Sequence, residues 1–167
     1  VIPASRQRNY LQSALYVVIA GLAAATLLER LLTYAEAAEK AAMEATVSRL
    51  SSAMYARLAY LVLRGDAQAV NALEQQSPFR IAHAESPAYL GEFDGMPAGA
   101  DAGKWYYDRG LKQLIYLPRL RRYLEIERSV DAQAALRFRS VVIKTGANTY
   151  AGVALVPVTR WRWEPRP

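Results

Sequence analysis

Between Leu22 and Arg64 the chain contains neither proline nor glycine. Alanine, leucine, glutamate and arginine dominate the stretch, and these residues lose the least on entering a helix. Gly65-Asp66 then supplies a stop, with Arg64 placed to complement the helix dipole. Extended back to Asn9, the reading is one helix to Arg64, about 80 Å long at 1.5 Å per residue. A helix of that length does not fit inside a domain built from 167 residues. It has to be a membrane span, a coiled coil or a protruding spine.

Its first part decides among these. Tyr10–Leu28 reads YLQSALYVVIAGLAAATLL, 19 positions without a charge. Such a run covers roughly 28 Å, close to the hydrocarbon thickness of a bilayer. Arg6 and Arg8 precede it and Glu29 follows at once. Positive residues ahead of the span predict a cytoplasmic N-terminus and an exported C-terminal portion. A cleaved secretory signal would end in a break, whereas here the helical pattern continues through Leu31 and Leu32. No second apolar run of comparable length follows, so a single crossing is expected.

Further along, Met43, Val47, Leu50, Met54, Leu58 and Leu61 recur at steps of three and four, an apolar stripe able to cover a sheet. Between span and stripe lies Thr33–Ala42, TYAEAAEKAA, helical by propensity but poor in large apolar residues. It reads either as a solvated connector or as a packing face, since small side chains at Ala35, Ala38, Ala42 and Ala45, with Gly21 upstream, let neighbouring helices approach closely.

Past Gly65 the pattern changes. Asp66–Gln76 predicts a short helix closed by Ser77-Pro78, and residues 86–103 form a glycine- and proline-rich loop in which Tyr89–Phe93 is a candidate edge strand. From Trp105 the period is two. Trp105–Tyr107 and Leu114–Leu117 flank Asp108-Arg109-Gly110 as a hairpin. Tyr123–Glu127 and Leu136–Arg139 alternate so that, paired antiparallel, two glutamates would face two arginines. Val141–Lys144, a turn at Thr145–Asn148 and Tyr150–Val158 complete the meander. The predicted fold is α+β, a long N-terminal helix packed on a roughly four-stranded antiparallel sheet. It divides into a basic lead and transmembrane segment over 1–28, the emergent half of the helix over 29–65, and a β domain over 66–167.

This organisation resembles the type IV pilin and type II secretion pseudopilin family, whose members pack a half-transmembrane helix on an antiparallel sheet. Leu15-Tyr16-Val17-Val18-Ile19-Ala20 and Gly21-Leu22-Ala23-Ala24 are similar to the family's LVVVIA and GILAA stretches. Lys104-Trp105-Tyr106-Tyr107-Asp108 followed by Gln113-Leu114-Ile115-Tyr116 is similar to a strand–turn–strand frequent in minor pilins. In the processing region Arg6 and Arg8 match the family's basic lead. Asn9 stands where its glycine precedes cleavage, Tyr10 replaces phenylalanine, and Ala14 replaces the glutamate that registers subunits. An uncleaved assembly factor or a filament-tip subunit tolerates both the Asn9 and the Ala14 changes. The resemblance implies a structural subunit of a pilus or secretion system in the inner membrane, with a periplasmic domain and other pilin or pseudopilin subunits as partners.

Little in the sequence points to catalysis. Cysteine is absent, so thiolate chemistry and cysteine zinc sites are excluded. His83 is the lone histidine and reads as a loop residue. No phosphate loop or nucleophile elbow is present. Some pseudopilins hold calcium in a loop corresponding to the region of Asp94, Asp101 and Asp108, but the spacing here fits no calcium motif, so neither metal nor cofactor is expected. A sensory domain is a weaker reading, because it would need a cytoplasmic output module ahead of the span.

Charge opens one alternative. Thirteen of the 21 Lys and Arg residues, but only five of the 15 acids, fall between Lys104 and Pro167. Lys112, Arg119, Arg121 and Arg122, and the tail Arg160-Trp161-Arg162-Trp163, intersperse cations with the aromatics Trp105, Tyr106, Tyr107, Tyr116 and Tyr123. Cations for phosphates and aromatic faces for bases are what single-strand binders use, so nucleic acid is the alternative partner. Core aromatics with outward arginines explain the same pattern.

Overall fold

The structure, a computed structural model, describes residues 4–127, 135–146 and 149–164, with the side chains of the first helix from residue 12 onward. Helix α1 runs without a break over Ala4–Leu63, 60 residues or about 90 Å. Its end is set by Gly65, whose φ of +69° is strained for any residue with a Cβ. The Asp66 amide donates to the Leu61 carbonyl and the Gly65 amide to that of Val62, the paired closure that a left-handed residue permits. Asp66 then caps α2 (Ala67–Ala72), its carboxylate accepting from the Ala69 amide at 2.9 Å. A 3-10 turn at Leu73–Gln75 and a one-turn α3 (Pro78–Ile81) follow.

Seven strands come next: β1 (Tyr89–Phe93), β2 (Lys104–Asp108), β3 (Gln113–Leu117), β4 (Leu124–Ile126), β5 (Leu136–Lys144), β6 (Tyr150–Pro157) and β7 (Trp161–Trp163). Five form the main sheet in the order β1-β2-β3-β5-β6. The fold is α+β, as the sequence predicts, and the β2–β3 hairpin is present in register Trp105 to Tyr116.

Two expectations about the sheet are overturned. It is mixed rather than antiparallel, because β1 pairs parallel to β2 with Tyr89 opposite Trp105. The loop over residues 94–103 carries the chain back to the start of β1 before β2 begins. Gly95, Gly99 and Gly103 all take positive φ along that path. Phe93 at the end of β1 and Ala100 of this crossover pack against Tyr106, Ile115 and Leu117 on the sheet's outer face. Secondly, β4 does not pair with β5. That edge of β5 is taken by β3, with Leu114 opposite Phe138, and β4 pairs instead with β7 in a separate two-stranded sheet. The glutamate–arginine opposition survives with a different partner, Glu125 facing Arg162.

The apolar stripe of α1 lies across the inner face of the main sheet. Met43, Leu50, Met54, Leu58 and Leu61 are buried and Val47 is half-buried. They meet the inward residues of alternate strand positions: Trp105 and Tyr107, Leu114 and Tyr116, Leu136 and Phe138, Val153 and Leu155. Phe79 stacks on Tyr89 with ring centroids 4.2 Å apart, sealing the end of the core beneath α3. The predicted turn at Thr145–Asn148 lies partly outside the described residues.

Candidate assembly surface

Well ahead of the stripe the described apolar side chains of α1 are uncovered. Ten large apolar side chains between Leu15 and Leu32 are exposed, among them Tyr16 at 70%, Val17 at 71% and Leu22 at 64%. They point in every direction around the helix, as expected for a helix whose apolar residues follow no single face. Each would contribute about 1.5 kcal/mol or more on leaving water, so ten together rival the roughly 5–15 kcal/mol that holds a typical domain folded. Residues from Gln12 onward are long and apolar enough to cross a membrane, and the qualifying window is wholly unburied. Gly21 lies in this bare part with open space where a Cβ would stand. The side chains of Arg6, Arg8, Asn9 and Tyr10 lie outside the described residues.

The helix becomes covered through two glutamates. Glu36 and Glu39 stand three residues apart on the face that continues into Met43. The Glu39 carboxylate accepts the Tyr116 hydroxyl at 2.8 Å, the Arg119 amide at 2.6 Å and the Leu120 amide at 3.0 Å. Glu36, only 2% exposed, accepts the Tyr123 amide at 3.0 Å and the Trp163 indole N–H at 2.8 Å. Three main-chain N–H groups of the loop over 118–123 are thereby satisfied by the helix. Hydrogen bonds to an ionised acceptor are roughly twice as strong as neutral ones. Diversion of this loop onto α1 is also what leads β4 away from the main sheet.

Ala35, Ala38, Ala42 and Ala45 are exposed on a face turned away from Glu36, Glu39 and Met43. The solvated-connector reading of this stretch therefore holds for one side only. Its other side is the anchor of the β domain, which the sequence reading missed. A signal was available: Glu36 and Glu39 sit in phase with the apolar stripe, seven and four residues before Met43.

The basic residues do not converge into one patch. Lys112 lies in the hairpin turn, and Arg119, Arg121 and Arg122 lie beyond the far end of β3, about 17 Å away. Arg160 and Arg162 are exposed on the small sheet, and Arg162 pairs with Glu164 at 3.0 Å. The tryptophans of the Trp/Arg tail are not open faces either: Trp163 is 1% exposed and Trp161 is half-buried. Trp105, Tyr106, Tyr107 and Tyr116 are buried as well, so their faces are filled by core neighbours rather than offered to bases.

His83 is an exposed turn residue with φ +47°. The three acids of the calcium expectation are not gathered: Asp94 pairs with Arg109 at 2.8 Å, and Asp108 is buried and accepts the Leu111 amide. Among the described residues no three metal-capable side chains cluster.

Two buried phenols give the domain an alkaline limit. Burial pushes Tyr107, whose hydroxyl has no partner among the described residues, up to about 12. Burial, reinforced by the hydrogen bond and charge of Glu39, holds Tyr116 above its ordinary range too. An unfolded tyrosine ionises near pH ~10. The folded state is therefore at full stability below that pH and loses it as the pH rises towards 12. Melting temperature is expected to fall across this window. Tyr107→Phe should leave stability near neutrality about unchanged and flatten the decline; an equal slope in both proteins contradicts the assignment.

What the fold and site define is a bare apolar helix, continuous with the spine of a small α+β domain. No protein-family model, curated protein or solved structure matches the chain.

Proposed function

We propose that the chain is a membrane-anchored structural subunit of a pilin-like or pseudopilin-like envelope assembly, of the type IV pilus or type II secretion kind, acting by contact rather than catalysis. The observation that carries this is the division of one unbroken helix into a first half whose described large apolar side chains are uncovered and a second half clamped beneath a sheet. The sequence similarities at Leu15–Ala20 and Gly21–Ala24 support the same reading. In it, the first half lies in the inner membrane with Arg6 and Arg8 on the cytoplasmic side. The β domain stands in the periplasm, and the exposed alanine face receives helices of neighbouring subunits.

Cysteine scanning tests the packing face, since the natural chain has no cysteine to interfere. Single cysteines at Ala35, Ala38, Ala42 and Ala45 are expected to form oxidant-dependent cross-links in native membranes. A cysteine at Met43, buried under the sheet, serves as the negative control. If membrane-embedded protein gives no adduct from any of the four exposed positions, helix packing is not how it works.

A further inference from the structure

The loop that Glu36 and Glu39 hold against the helix carries three arginines, and its placement gives two of them a use. Leu28 closes the uncharged run of α1 and Glu29 follows it. Arg122 reaches back so that its guanidinium lies 3.8 Å from the Glu29 carboxylate, level with the first polar turn after the apolar one. Its other contact is with the ring of Tyr123, 5.5 Å from the centroid. Arg119, Arg121 and Arg122 are all exposed, as is Arg30 on the helix itself. The nearby acids Glu36 and Glu39 are turned inward, with loop amides, an indole and a phenol around their carboxylates. Exposed near this end of the β domain are Arg30, Arg121, Arg122 and Glu29, whereas Arg119 starts beside Glu39 and donates its Nε–H to the Ala102 carbonyl at 3.2 Å.

We propose that Arg30, Arg121 and Arg122 form a cationic collar beside the exit of α1 and engage the headgroups of anionic phospholipids. The proposal rests on the membrane-anchoring part of the function above and adds a partner to it. A lipid surface is favoured over nucleic acid because the collar adjoins the uncovered apolar turns of α1, while the aromatics that would stack on bases are buried. Folding, not chain order, creates the collar, since two of its members are some 90 residues distant from Glu29 in sequence. Main-chain groups of the loop meet Glu36 and Glu39, and only the Arg119 head bonds elsewhere in the domain, so the heads of Arg121 and Arg122 can be changed without unseating the loop. Each arginine near an anionic surface favours association roughly fivefold.

The full chain, reconstituted in phosphatidylcholine bilayers containing phosphatidylglycerol, is probed with spin-labelled versions of each lipid. The wild-type chain is expected to immobilise the phosphatidylglycerol label preferentially. The double variant Arg121→Gln/Arg122→Gln should reduce that preference roughly twenty-fivefold. Arg121→Gln alone should reduce it by a part, and Arg121→Lys/Arg122→Lys should keep most of it. Equal immobilisation of both lipids by a chain that resists alkaline carbonate extraction overturns the collar and leaves the anchor standing. A wild-type chain that washes out of the bilayer overturns both. Loss of the preference on adding inorganic phosphate at constant ionic strength reassigns the arginines to a soluble anion. A DNA mobility shift at physiological salt that the double variant abolishes reassigns them to nucleic acid.

Discussion

Glu36→Ala is expected to destabilise the folded domain by about 3 kcal/mol or more. The carboxylate is buried and accepts two hydrogen bonds, from the Tyr123 amide and the Trp163 indole. Bonds to a charged acceptor contribute about 1.5–3 kcal/mol each, and a buried donor left without a partner costs about 1–3 kcal/mol. Trp163 is 1% exposed, so water cannot readily replace the lost acceptor. Denaturant midpoints of the detergent-solubilised chain measure the effect. A double-mutant cycle with Trp163→Phe isolates the indole bond, which should appear as a coupling of about 1–2 kcal/mol. Glu44→Ala is the matching control, since that carboxylate is 53% exposed and its ion pair with Lys40 spans 3.8 Å. Surface pairs of this kind contribute about 0–1 kcal/mol. Should Glu36→Ala cost no more than Glu44→Ala, the clamp does not hold the domain to the helix.

The second large effect concerns the uncovered half of α1. Val18→Asp/Leu22→Asp places two carboxylates four residues apart, on one face near the middle of the apolar run. Each aspartate at the centre of a spanning helix opposes insertion by about 2.5–3.5 kcal/mol, so the pair opposes it by about 6 kcal/mol. The parent chain is expected in the carbonate-resistant membrane fraction, and the variant outside it. Leu63→Asp, at an 88% exposed position on the far end of the same helix, should not change the fractionation. Retention of the double variant in carbonate-washed membranes would falsify the anchor.

These outcomes bear on different joints of the molecule. Loss of the clamp releases the loop over 118–123 and β7 from α1 without touching the bare half, and loss of the anchor leaves the clamp intact. Membrane fractionation and denaturation therefore report independently, and a variant that fails in one assay can be scored in the other.

Much of the architecture is legible residue by residue. The absence of glycine and proline from Leu22 to Arg64 predicts an unbroken rod, and the steps from Met43 to Leu61 identify the side that meets the sheet. Alternation locates β2, β3, β5 and β6, and Tyr89–Phe93 is an edge strand as its loop setting suggests. Each of these follows from a local pattern, because helix propensity and side-chain alternation are properties of neighbouring residues. Pairing partners are not local. Glutamates at 125 and 127 suit arginines at 137 and 139 as well as they suit Arg162, and only the occupation of the β5 edge by β3 decides between them. Nothing in Tyr89–Phe93 distinguishes a parallel neighbour from an antiparallel one; the path of the chain over residues 94–103 does.

The glutamates of the alanine-rich stretch mark the same boundary at the level of single side chains. By sequence alone Glu36 and Glu39 are solvated charges on a helical connector, and Trp163 belongs to a cationic tail. In the folded chain Glu36 is buried, and Trp163 donates to it across 127 positions of sequence. A carboxylate withdrawn from water requires donors that converge on it. Here those donors come from the loop over 118–123 and from β7, segments that the tertiary fold brings to the helix. The sequence by itself determined the rod, its two unlike halves and the positions of most strands. The tertiary structure decided which strands pair, which polar groups are buried, and where the arginines stand relative to the apolar run, because each depends on contacts between segments far apart in the chain.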